Sequence, residues 1–343
     1  MKVNDKKRDI ILYILEKIEK KDKSISKSVS ENFSINQNTV HTYINELANE
    51  NIIRRIKRGT YELVTKKNEY SFNIKEGNIK SDFYIYSHYL EDFIKETGEN
   101  VKKIWIYVLS EMLNNVLEHS EAENLRVTIE KNYLNTKVIF WDDGIGIFNK
   151  IKNYFDFDEI DEAVYELFKG KLTTDKKNHS GEGIFFSSRI MDKFVIVSSN
   201  KVFSSNKYDD NMFVNLLDDE FDGTCVLMEL SNFSNKKMSD VFSAYTDEVG
   251  DFTKTSIPMK NMFDASPISR SQAKRVCDRL DNFKEVVFDF SDVEWMGQGF
   301  AHQVFVVFSN QNPKIKLIPI NMNDDVKKMY NHVMIGKGKE DEQ

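Results

Sequence analysis

The fold is decided by the stretch Glu111-Met112-Leu113-Asn114-Asn115-Val116-Leu117-Glu118-His119. Its apolar residues, with those just before it, recur at helical spacing: Ile104, Val108, Leu109, Met112, Leu113, Val116 and Leu117. This period predicts an amphipathic helix over residues 101–119 whose apolar face packs against a sheet. Glu111, Asn115 and His119 follow at intervals of four on the flank of that face, so their side chains should lie along one edge of the helix.

A glutamate one helical turn from an asparagine suits a nucleotide site. The Glu111 carboxylate can orient or deprotonate a water or hydroxyl. The Asn115 side-chain oxygen can ligate a Mg²⁺ that is held mainly by phosphates and water. The same spacing also occurs on solvated helices that carry no site. The interpretation therefore depends on the motifs in the rest of the chain.

The composition is that of an ordinary globular chain. Its 343 residues suffice for two or three domains, and 40% are hydrophobic and 30% charged. No apolar run approaches the roughly 20 residues of a membrane helix, and residues 1–9 are charged, without a signal-peptide core. The two cysteines, Cys225 and Cys277, form no CxxC pair. We expect a cytoplasmic protein with reduced thiols and no membrane contact, and neither a zinc site nor a disulfide framework.

Residues 1–70 differ in charge from the rest of the chain. They carry 15 Lys and Arg against 10 Asp and Glu, a net charge of +5, which leaves −12 for the remainder of a chain whose total is −7. If any part of the chain binds nucleic acid, we expect it to be this segment. Helical periods over 9–20, 26–32 and 37–50 precede two short apolar strands over 52–56 and 61–64.

This order resembles a winged helix-turn-helix. The resemblance implies that the third helix enters a DNA major groove and that the strand pair meets phosphates. Because the charge excess is modest, a monomer should bind DNA weakly and with strong salt dependence, which makes a homodimer a further candidate assembly. The alternative is that the same fold serves only in protein docking or dimerisation. The residues expected at bases are Gln37, Asn38, Thr39, His41 and Thr42, and those expected at phosphates are Arg55, Lys57 and Arg58.

A second motif follows a predicted strand hairpin over 125–131 and 136–141. The hairpin runs into Asp142-Asp143-Gly144-Ile145-Gly146. A carboxylate at the end of a buried strand can accept a hydrogen bond from the exocyclic amine of a base. Gly144 and Gly146 would let the backbone approach a planar ring without a Cβ in the way. A plain glycine turn after a strand is the alternative for this motif taken alone.

A third motif, Gly181-Glu182-Gly183-Ile184, opens a helix after a long insertion over 148–180. The middle of the insertion, 159–168, has helical periodicity, and the polar tract 170–180 has none and is expected to be mobile. At the motif itself, free amides and the helix dipole favour an anion such as phosphate. Strands are expected over 194–199, 211–217 and 224–230, the last opened by Gly223-Thr224.

Taken in chain order, these motifs resemble the N, G1, G2 and G3 boxes of the GHKL superfamily of ATPases and kinases. The matching residues are Glu111 and Asn115, Asp142-x-Gly144-x-Gly146, Gly181-x-Gly183 and Gly223-Thr224. The resemblance covers about half of the chain. It implies a Bergerat-fold α/β sandwich, with a mixed sheet and helices on one face, and ATP and Mg²⁺ as cofactors.

The resemblance also implies a role for each box. Adenine would lie against Asp142 with support from Thr224, magnesium on Asn115, and phosphates on the amides of Gly181, Glu182 and Gly183 under a lid of 148–180. Glu111 is the candidate general base. Ile184 departs mildly from the leucine that many members have after the second glycine. The lid lysines Lys171, Lys176 and Lys177 are within reach of a γ-phosphate but are expected to be solvated.

Beyond residue 260, helices over 269–282, 299–309 and 323–332 alternate with strands over 285–290 and 316–320. This order predicts a small α/β layer with parallel strands. The turn over 289–293 and the helix start Gly297-Gln298-Gly299 resemble a STAS-type domain, which implies a docking surface for a protein partner. Anti-sigma antagonists of this type carry a phosphorylatable serine in the loop. Here Gln298 takes that place and no hydroxyl side chain occurs between Val293 and Phe300, so phosphorylation there is excluded.

The sequence thus predicts an α+β multidomain chain: a winged helix-turn-helix over 1–70, an ATP-binding domain over 71–260, a STAS-like domain over 261–335 and a disordered tail over 336–343. The leading hypothesis is a regulatory protein that hydrolyses ATP slowly and uses the nucleotide state to control DNA or partner binding. The alternative is a protein serine kinase of the anti-sigma-factor type acting on a separate STAS partner, whose motif the 111–120 segment resembles. A third hypothesis treats the nucleotide as structural, without turnover.

Overall fold

The chain forms a mixed α/β structure in which three separate sheets hold the described strands. The computed structural model describes residues 3–77, 79, 81–172, 181–204, 222–263 and 266–340. The predicted strand over 211–217 and the lysines Lys176 and Lys177 lie outside the described residues.

The N-terminal unit has the three helices and the hairpin that the sequence predicts. Apolar residues at helical spacing on α1, α2 and α3 turn inward and form a separate small core, which includes Ile14, Val29 and Ile44. Asn36 begins the third helix as its N-cap, because its side chain accepts a hydrogen bond from the Asn38 amide at 2.8 Å. The elements are α1 (Val3–Glu19), α2 (Ile25–Phe33), α3 (Gln37–Asn49), β1 (Ile53–Lys57) and β2 (Thr60–Leu63).

The central unit is a six-stranded sheet with helices packed on one face. Its strands lie in the order β3-β4-β5-β8-β6-β7. They are β3 (Lys66–Asn73), β4 (Asn124–Lys131), β5 (Asn135–Asp142), β6 (Lys193–Ser198), β7 (Lys201–Ser204) and β8 (Thr224–Ser231). The helices are α4 (Tyr86–Leu90 with Glu91–Ile94), α5 (Glu99–Asn114 continued by Asn115–His119), α6 (Ile147–Phe155), α7 (Ile160–Lys169), α8 (Gly183–Ile190) and α9 (Met238–Tyr245).

The pairing of this sheet corrects the expected mixed sheet, because every pairing between its described strands is antiparallel. The physical reason is the position of β8. β5 and β6 both run antiparallel to β8 and therefore parallel to each other, as expected for strands joined by a helical crossover. β8 lies between them, so the parallel strands never pair. The first strand begins at Lys66 and ends at Asn73, so it crosses the domain boundary expected after residue 70.

Alternation along the strands separates the two faces of the central sheet. On one face Val127, Phe140 and Met228 join the main core beneath the helices. On the other face Val197, Cys225 and neighbouring apolar residues form a smaller cluster. The helical face carries the candidate site, because α5, α6, α7 and α8 all pack there.

The C-terminal unit is a three-stranded parallel sheet in the order β11-β10-β9. The parallel layer agrees with the sequence pattern, but its edge strand β9 lies before the expected boundary at residue 261. The last helix continues to Glu340, so residues 336–340 are helical where a disordered tail was expected. The elements are β9 (Lys254–Pro258), α10 (Met259–Met262), α11 (Arg270–Cys277), β10 (Glu285–Asp289), α12 (Gln298–His302 continued by Gln303–Phe308), β11 (Lys316–Ile320) and α13 (Asp324–Glu340).

The central and C-terminal units share one continuous apolar core, and α7 joins them through buried charges. The Lys169 ammonium is 1% exposed and donates to Glu166 Oε1 at 2.5 Å. It also donates to the carbonyls of Arg275 and Asp278 at the end of α11, at 2.9 and 2.8 Å. Arg279 completes the network at 3.2 Å from Glu166. The end of α11 is therefore capped by a lysine of the central unit.

The N-terminal unit packs on the tip of the β4–β5 hairpin. Leu134, in the hairpin loop, is buried in the N-terminal core together with Phe233. Asn135 donates to Glu19 at 2.9 Å, and the Arg8 guanidinium lies over the Phe233 ring at 5.3 Å. Across the described part of the chain, no helix combines the length and apolar character that a bilayer crossing requires.

Candidate functional site

Motifs that are far apart in the sequence meet at one cavity of about 300 Å³ on the helical face of the central sheet. Helices α5, α6, α7 and α8 and strands β5, β6 and β8 contribute to its wall. Of the residues predicted to hold nucleotide, Glu111, Asn115, Asp142, Gly146, Gly181, Gly183, Ile184 and Thr224 line it. Gly144 and Glu182 are adjacent to lining residues without facing the cavity.

The helix edge predicted from the spacing of four is present at the cavity. Glu111, Asn115 and His119 all line it. The helix widens to π geometry over Asn115–His119, so its last turn holds more residues than an α-turn. The apolar face behind this edge is fully buried, with Val108, Leu109 and Leu113 at 0% exposure. That packing fixes the edge relative to the sheet.

Asp142 is the most deeply buried carboxylate at the cavity, with only 3% of the residue exposed. It ends β5, and its Oδ1 accepts a hydrogen bond from the Gly144 amide at 3.0 Å. Burial raises the pKa of Asp142 to about 6, against the opposing effect of backbone hydrogen bonds from Gly144 and Thr224. A buried carboxylate that still has acceptor positions available is suited to a ligand that donates hydrogen bonds.

Two glycines lie at close contacts beside the cavity. A Cβ at Gly183 would overlap the Glu111 carboxylate, so the start of α8 lies directly against that side chain. Gly223 has a φ of +103°, and a Cβ there would overlap the Asp142 carbonyl. These contacts bring the second half of the chain against the residues of the first two motifs.

Thr224 is tied to the start of α6, because its Oγ1 accepts a hydrogen bond from the Ile147 amide at 3.0 Å. It also lies opposite Asp142 in the register of β5 and β8. Thr224 therefore fixes the two segments that flank Asp142, in addition to lining the cavity.

The start of α8 offers backbone amides to the cavity. Gly181 and Gly183 line it, and Glu182 is the N-cap residue of the helix. The Gly181 carbonyl accepts a hydrogen bond from the Leu172 amide at 3.0 Å, which joins the two described ends of the insertion. The first amides of a helix have no partner within the helix and attract anions.

Several wall residues were not predicted. Lys150 on α6 and Leu167, Gly170 and Leu172 around the end of α7 line the cavity. The available signal was a helical period that begins directly after Gly146 and places Lys150 one turn into α6.

Asp143, next to Asp142, has a structural role. Its carboxylate accepts hydrogen bonds from the Glu123 and Asn124 amides at 2.9 and 2.8 Å and so holds the loop beside the cavity.

Lys171 does not reach into the cavity in the structure. Its ammonium donates to the Asn282 carbonyl at 2.9 Å and lies over the Phe252 and Phe283 rings. Lys171 is half-buried, so it is less solvated than expected, because the C-terminal unit provides aromatic and polar contacts that sequence patterns could not show. Lys176 and Lys177 lie outside the described residues.

The residues predicted to meet DNA lie on the surface of the N-terminal unit. Gln37, Asn38, His41 and Thr42 on α3 are exposed and Thr39 is half-buried. Arg55, Lys57 and Arg58 are exposed on β1 and the turn that follows it. Arg54, on the same strand, is paired with Glu62 and is therefore partly neutralised.

The loop before α12 presents Gln298 at an exposed position, as the first residue of the helix. The preceding turn is fixed by Asp289, whose Oδ1 accepts from the Ser291 amide and hydroxyl at 2.9 and 2.7 Å and from the Asn321 side chain at 2.9 Å. Trp295 in this loop is 46% exposed.

Comparison with known protein families identifies one part of the chain. Residues 272–327 match the model of a family described as a STAS-like domain of unknown function (DUF4325). This segment runs from α11 into the first turn of α13. The C-terminal unit therefore contains a STAS-like segment, of a family whose function is not known. No curated protein matches the chain in sequence.

Proposed function

We propose that the central unit is an ATP-binding domain of the GHKL type and that the chain is a regulatory protein. It hydrolyses ATP slowly and uses the nucleotide state to control binding of DNA or a protein partner. The observation that carries this proposal is the meeting of four separated motifs, at Glu111 with Asn115, at Asp142, at Gly183 and at Thr224, around one cavity.

Each group has a chemical role in this proposal. Asp142 accepts the exocyclic amine of adenine, and the first amides of α8 bind phosphate oxygens. Asn115 supplies one protein oxygen to Mg²⁺, whose charge neutralises the phosphates. No cluster of three or more His, Cys, Asp or Glu that could hold a metal occurs in the described ranges. In this proposal the nucleotide phosphates and water would supply the other ligands of Mg²⁺. Glu111, against the start of α8, is placed to orient or deprotonate the attacking water.

The test is isothermal titration of ATP with and without Mg²⁺, paired with a phosphate-release assay. Asn115→Ala should lose the magnesium-dependent part of the affinity. Glu111→Gln should bind ATP as tightly as the wild type and release phosphate about a hundredfold more slowly. Glu118→Gln is the matched control, because Glu118 lies exposed on the same helix without lining the cavity.

Three results would count against parts of this proposal. A wild-type protein that binds no ATP overturns the proposal. Equal affinities for wild type and Asn115→Ala would remove the metal assignment alone. An unchanged, near-zero turnover in Glu111→Gln would favour a nucleotide with a structural role.

The DNA arm of the proposal makes its own prediction for Arg55 and Lys57. If both contact phosphates, each change to Ala should reduce the slope of log affinity against log salt concentration by about one on a random-sequence duplex. Arg54→Ala is the control, since Arg54 is already paired with Glu62. Slopes equal to that of the wild type in Arg55→Ala and Lys57→Ala would favour a protein-docking role for the N-terminal unit.

A protein serine kinase is the second candidate. Two observations favour it: the STAS-like match over 272–327 and the spacing of Glu111, Asn115 and His119 at the cavity. Because Gln298 has no hydroxyl, the acceptor would be a separate STAS protein. Radiolabelled γ-phosphate transferred to such a protein would support the kinase, whereas release of free phosphate in its presence would support the ATPase.

A further inference from the structure

Lys150 is the only lysine or arginine among the described residues that line the cavity. It lies on α6, whose inward residues Phe148 and Ile151 are buried against the main core. Two other lysines near this wall make their contacts away from the cavity. Lys169 is buried in the network with Glu166, and Lys171 lies on the Phe252 and Phe283 rings.

The cavity without Lys150 carries an acidic wall. Glu111 and Asp142 both line it. A nucleotide phosphate chain brings further negative charge into the same space, and like charges close together in a partly enclosed cavity repel strongly. The backbone amides of α8 and a Mg²⁺ at Asn115 offset part of this repulsion at the far phosphates. The phosphates nearer the base need another positive group.

The position of Lys150 along α6 indicates which phosphates it meets. The helix begins at Ile147, whose amide is bound to Thr224 beside Asp142. Lys150 follows three residues later, about 4.5 Å along the helix axis. If the base lies at Asp142, a side chain at this distance along α6 would meet the ribose and the first phosphates. The start of α8 lies elsewhere on the wall, with Gly183 against Glu111.

The present partners of Lys150 are weaker than a phosphate would be. Its ammonium donates to the His119 carbonyl at 2.6 Å and lies 3.5 Å from Glu121, whose side chain is 64% exposed. The Lys150 side chain itself keeps 24% of its surface accessible. A flexible lysine stem can move its ammonium from a neutral carbonyl to an anionic oxygen, with which it makes a stronger, charge-assisted bond.

We propose that Lys150 is a nucleotide-binding residue that contacts the α- and β-phosphates of an adenine nucleotide. This inference rests on the proposed function, because it assumes that the cavity holds such a nucleotide with its base at Asp142. The competing explanation is purely structural: Lys150 would only bind the His119 carbonyl at the end of α5.

Titration of adenosine, ADP and ATP in the presence of Mg²⁺ separates these explanations. For Lys150→Met we expect the affinities for ADP and ATP to fall together by at least about tenfold, the size of one lost charge-assisted hydrogen bond, with adenosine affinity unchanged. Lys150→Arg should restore most of the affinity, since it keeps the charge. Lys152→Met is the matched control on the same helix, because Lys152 does not line the cavity.

The outcomes that overturn the inference are distinct from those that overturn the proposed function. Wild-type protein that binds neither ADP nor ATP removes both. Wild-type binding with an unchanged Lys150→Met removes the inference alone. A loss confined to ATP would place Lys150 at the γ-phosphate and so contradict the assignment, and an equal loss for adenosine would show a structural role.

Discussion

At the scale of single residues, the environment of Asp142 shows how the fold sets the chemistry of the candidate site. The sequence places a carboxylate at the end of an apolar strand, and the structure buries it there, opposite Thr224 of β8. Burial penalises the charged form, so its pKa rises to about 6 although the Gly144 amide donates to it. The protonation state of Asp142 therefore changes close to neutral pH.

This shift predicts a pH dependence for adenosine binding. An amine that donates to Asp142 binds the carboxylate form, so affinity should fall as the pH drops below about 6, approaching about tenfold per pH unit well below the pKa. Adenosine is the probe because it has no phosphate that titrates in the same range. In the ligand-free protein the same shift costs stability as the pH rises from about 4 to about 6, since the unfolded chain ionises first.

Titration calorimetry between pH 7.5 and pH 5 measures the effect, with Asp142→Asn as the control whose binding should vary far less with pH. An affinity of the wild type that stays constant over this range would show that no amine binds the Asp142 carboxylate.

Eight of the ten residues predicted to hold nucleotide line the cavity, but sequence patterns missed other residues of its wall. Glu111 and Asp142 follow from local periodicity, since helix spacing and strand alternation depend on neighbours in the chain. Lys150 was missed, because the helical period after Gly146 places it on α6 but does not place α6 at the cavity. Its place at the cavity depends on how α6 packs against the end of α5, which is a long-range contact.

At the scale of elements, α7 has two functions in the structure. Leu167 and Gly170, at its end, line the cavity, and Glu166 and Lys169 in the same turns bind the C-terminal unit. The Lys169 carbonyl also accepts from Thr255 on β9 at 2.7 Å. One helix thus contacts the candidate ligand site and the STAS-like unit at the same time.

Replacing Lys169 should therefore destabilise the protein strongly. In Lys169→Met the Glu166 carboxylate, 4% exposed, loses its closest cation and the end of α11 loses its cap. Removing one partner of a buried ion pair costs about 3–5 kcal/mol. Urea unfolding measured by circular dichroism gives the change in the free energy of unfolding.

Lys274→Met is the matched control, because Lys274 is exposed on α11 and its replacement should change stability by less than about 0.5 kcal/mol. A loss below about 1 kcal/mol in Lys169→Met would mean that the network contributes little beyond its own desolvation cost.

Two of the elements that were misjudged from sequence, β3 and β9, are edge strands. β3 is rich in charged residues and β9 reads Lys-Thr-Ser-Ile-Pro, so neither has a clear apolar period. β9 pairs with β10 in parallel, about 30 residues later in the chain, which only the tertiary structure determines. The buried strands β5 and β10 were located correctly because their apolar residues are local signals.

At the scale of the whole molecule, the candidate site and the N-terminal unit lie at opposite ends of the β4–β5 hairpin. Asp142 lies at one end of β5, and the N-terminal unit packs on the hairpin loop at the other end, about 24 Å away for an eight-residue strand. The STAS-like unit, in contrast, touches the wall of the cavity through α7. A change at the cavity therefore reaches the C-terminal unit directly and the N-terminal unit only through the sheet.

The docking of the N-terminal unit predicts the effect of Leu134→Asp. A carboxylate in place of a side chain that is 6% exposed should release the unit from the hairpin. Residues 65–67, at the link between β2 and β3, are already exposed, and without the docked unit they would also unfold locally more often. Trypsin should therefore cut near Lys66 about tenfold faster or more than in the wild type.

Ile56→Asp is the control, because Ile56 is 52% exposed in the same unit and away from the hairpin loop. Equal cleavage rates in the wild type and Leu134→Asp would show that Leu134 does not hold the two units together.

The position of β9 has a consequence for how such chains are assembled over evolutionary time. Strand β9 completes the C-terminal sheet but precedes the segment matched to the STAS-like family. In addition, Lys169 of the central unit caps the end of α11. A genetic break at residue 261 would leave β10 with an open, aggregation-prone edge. The STAS-like segment therefore cannot be exchanged alone. A recombination event that moves it into another chain must include β9 and must provide a replacement for Lys169.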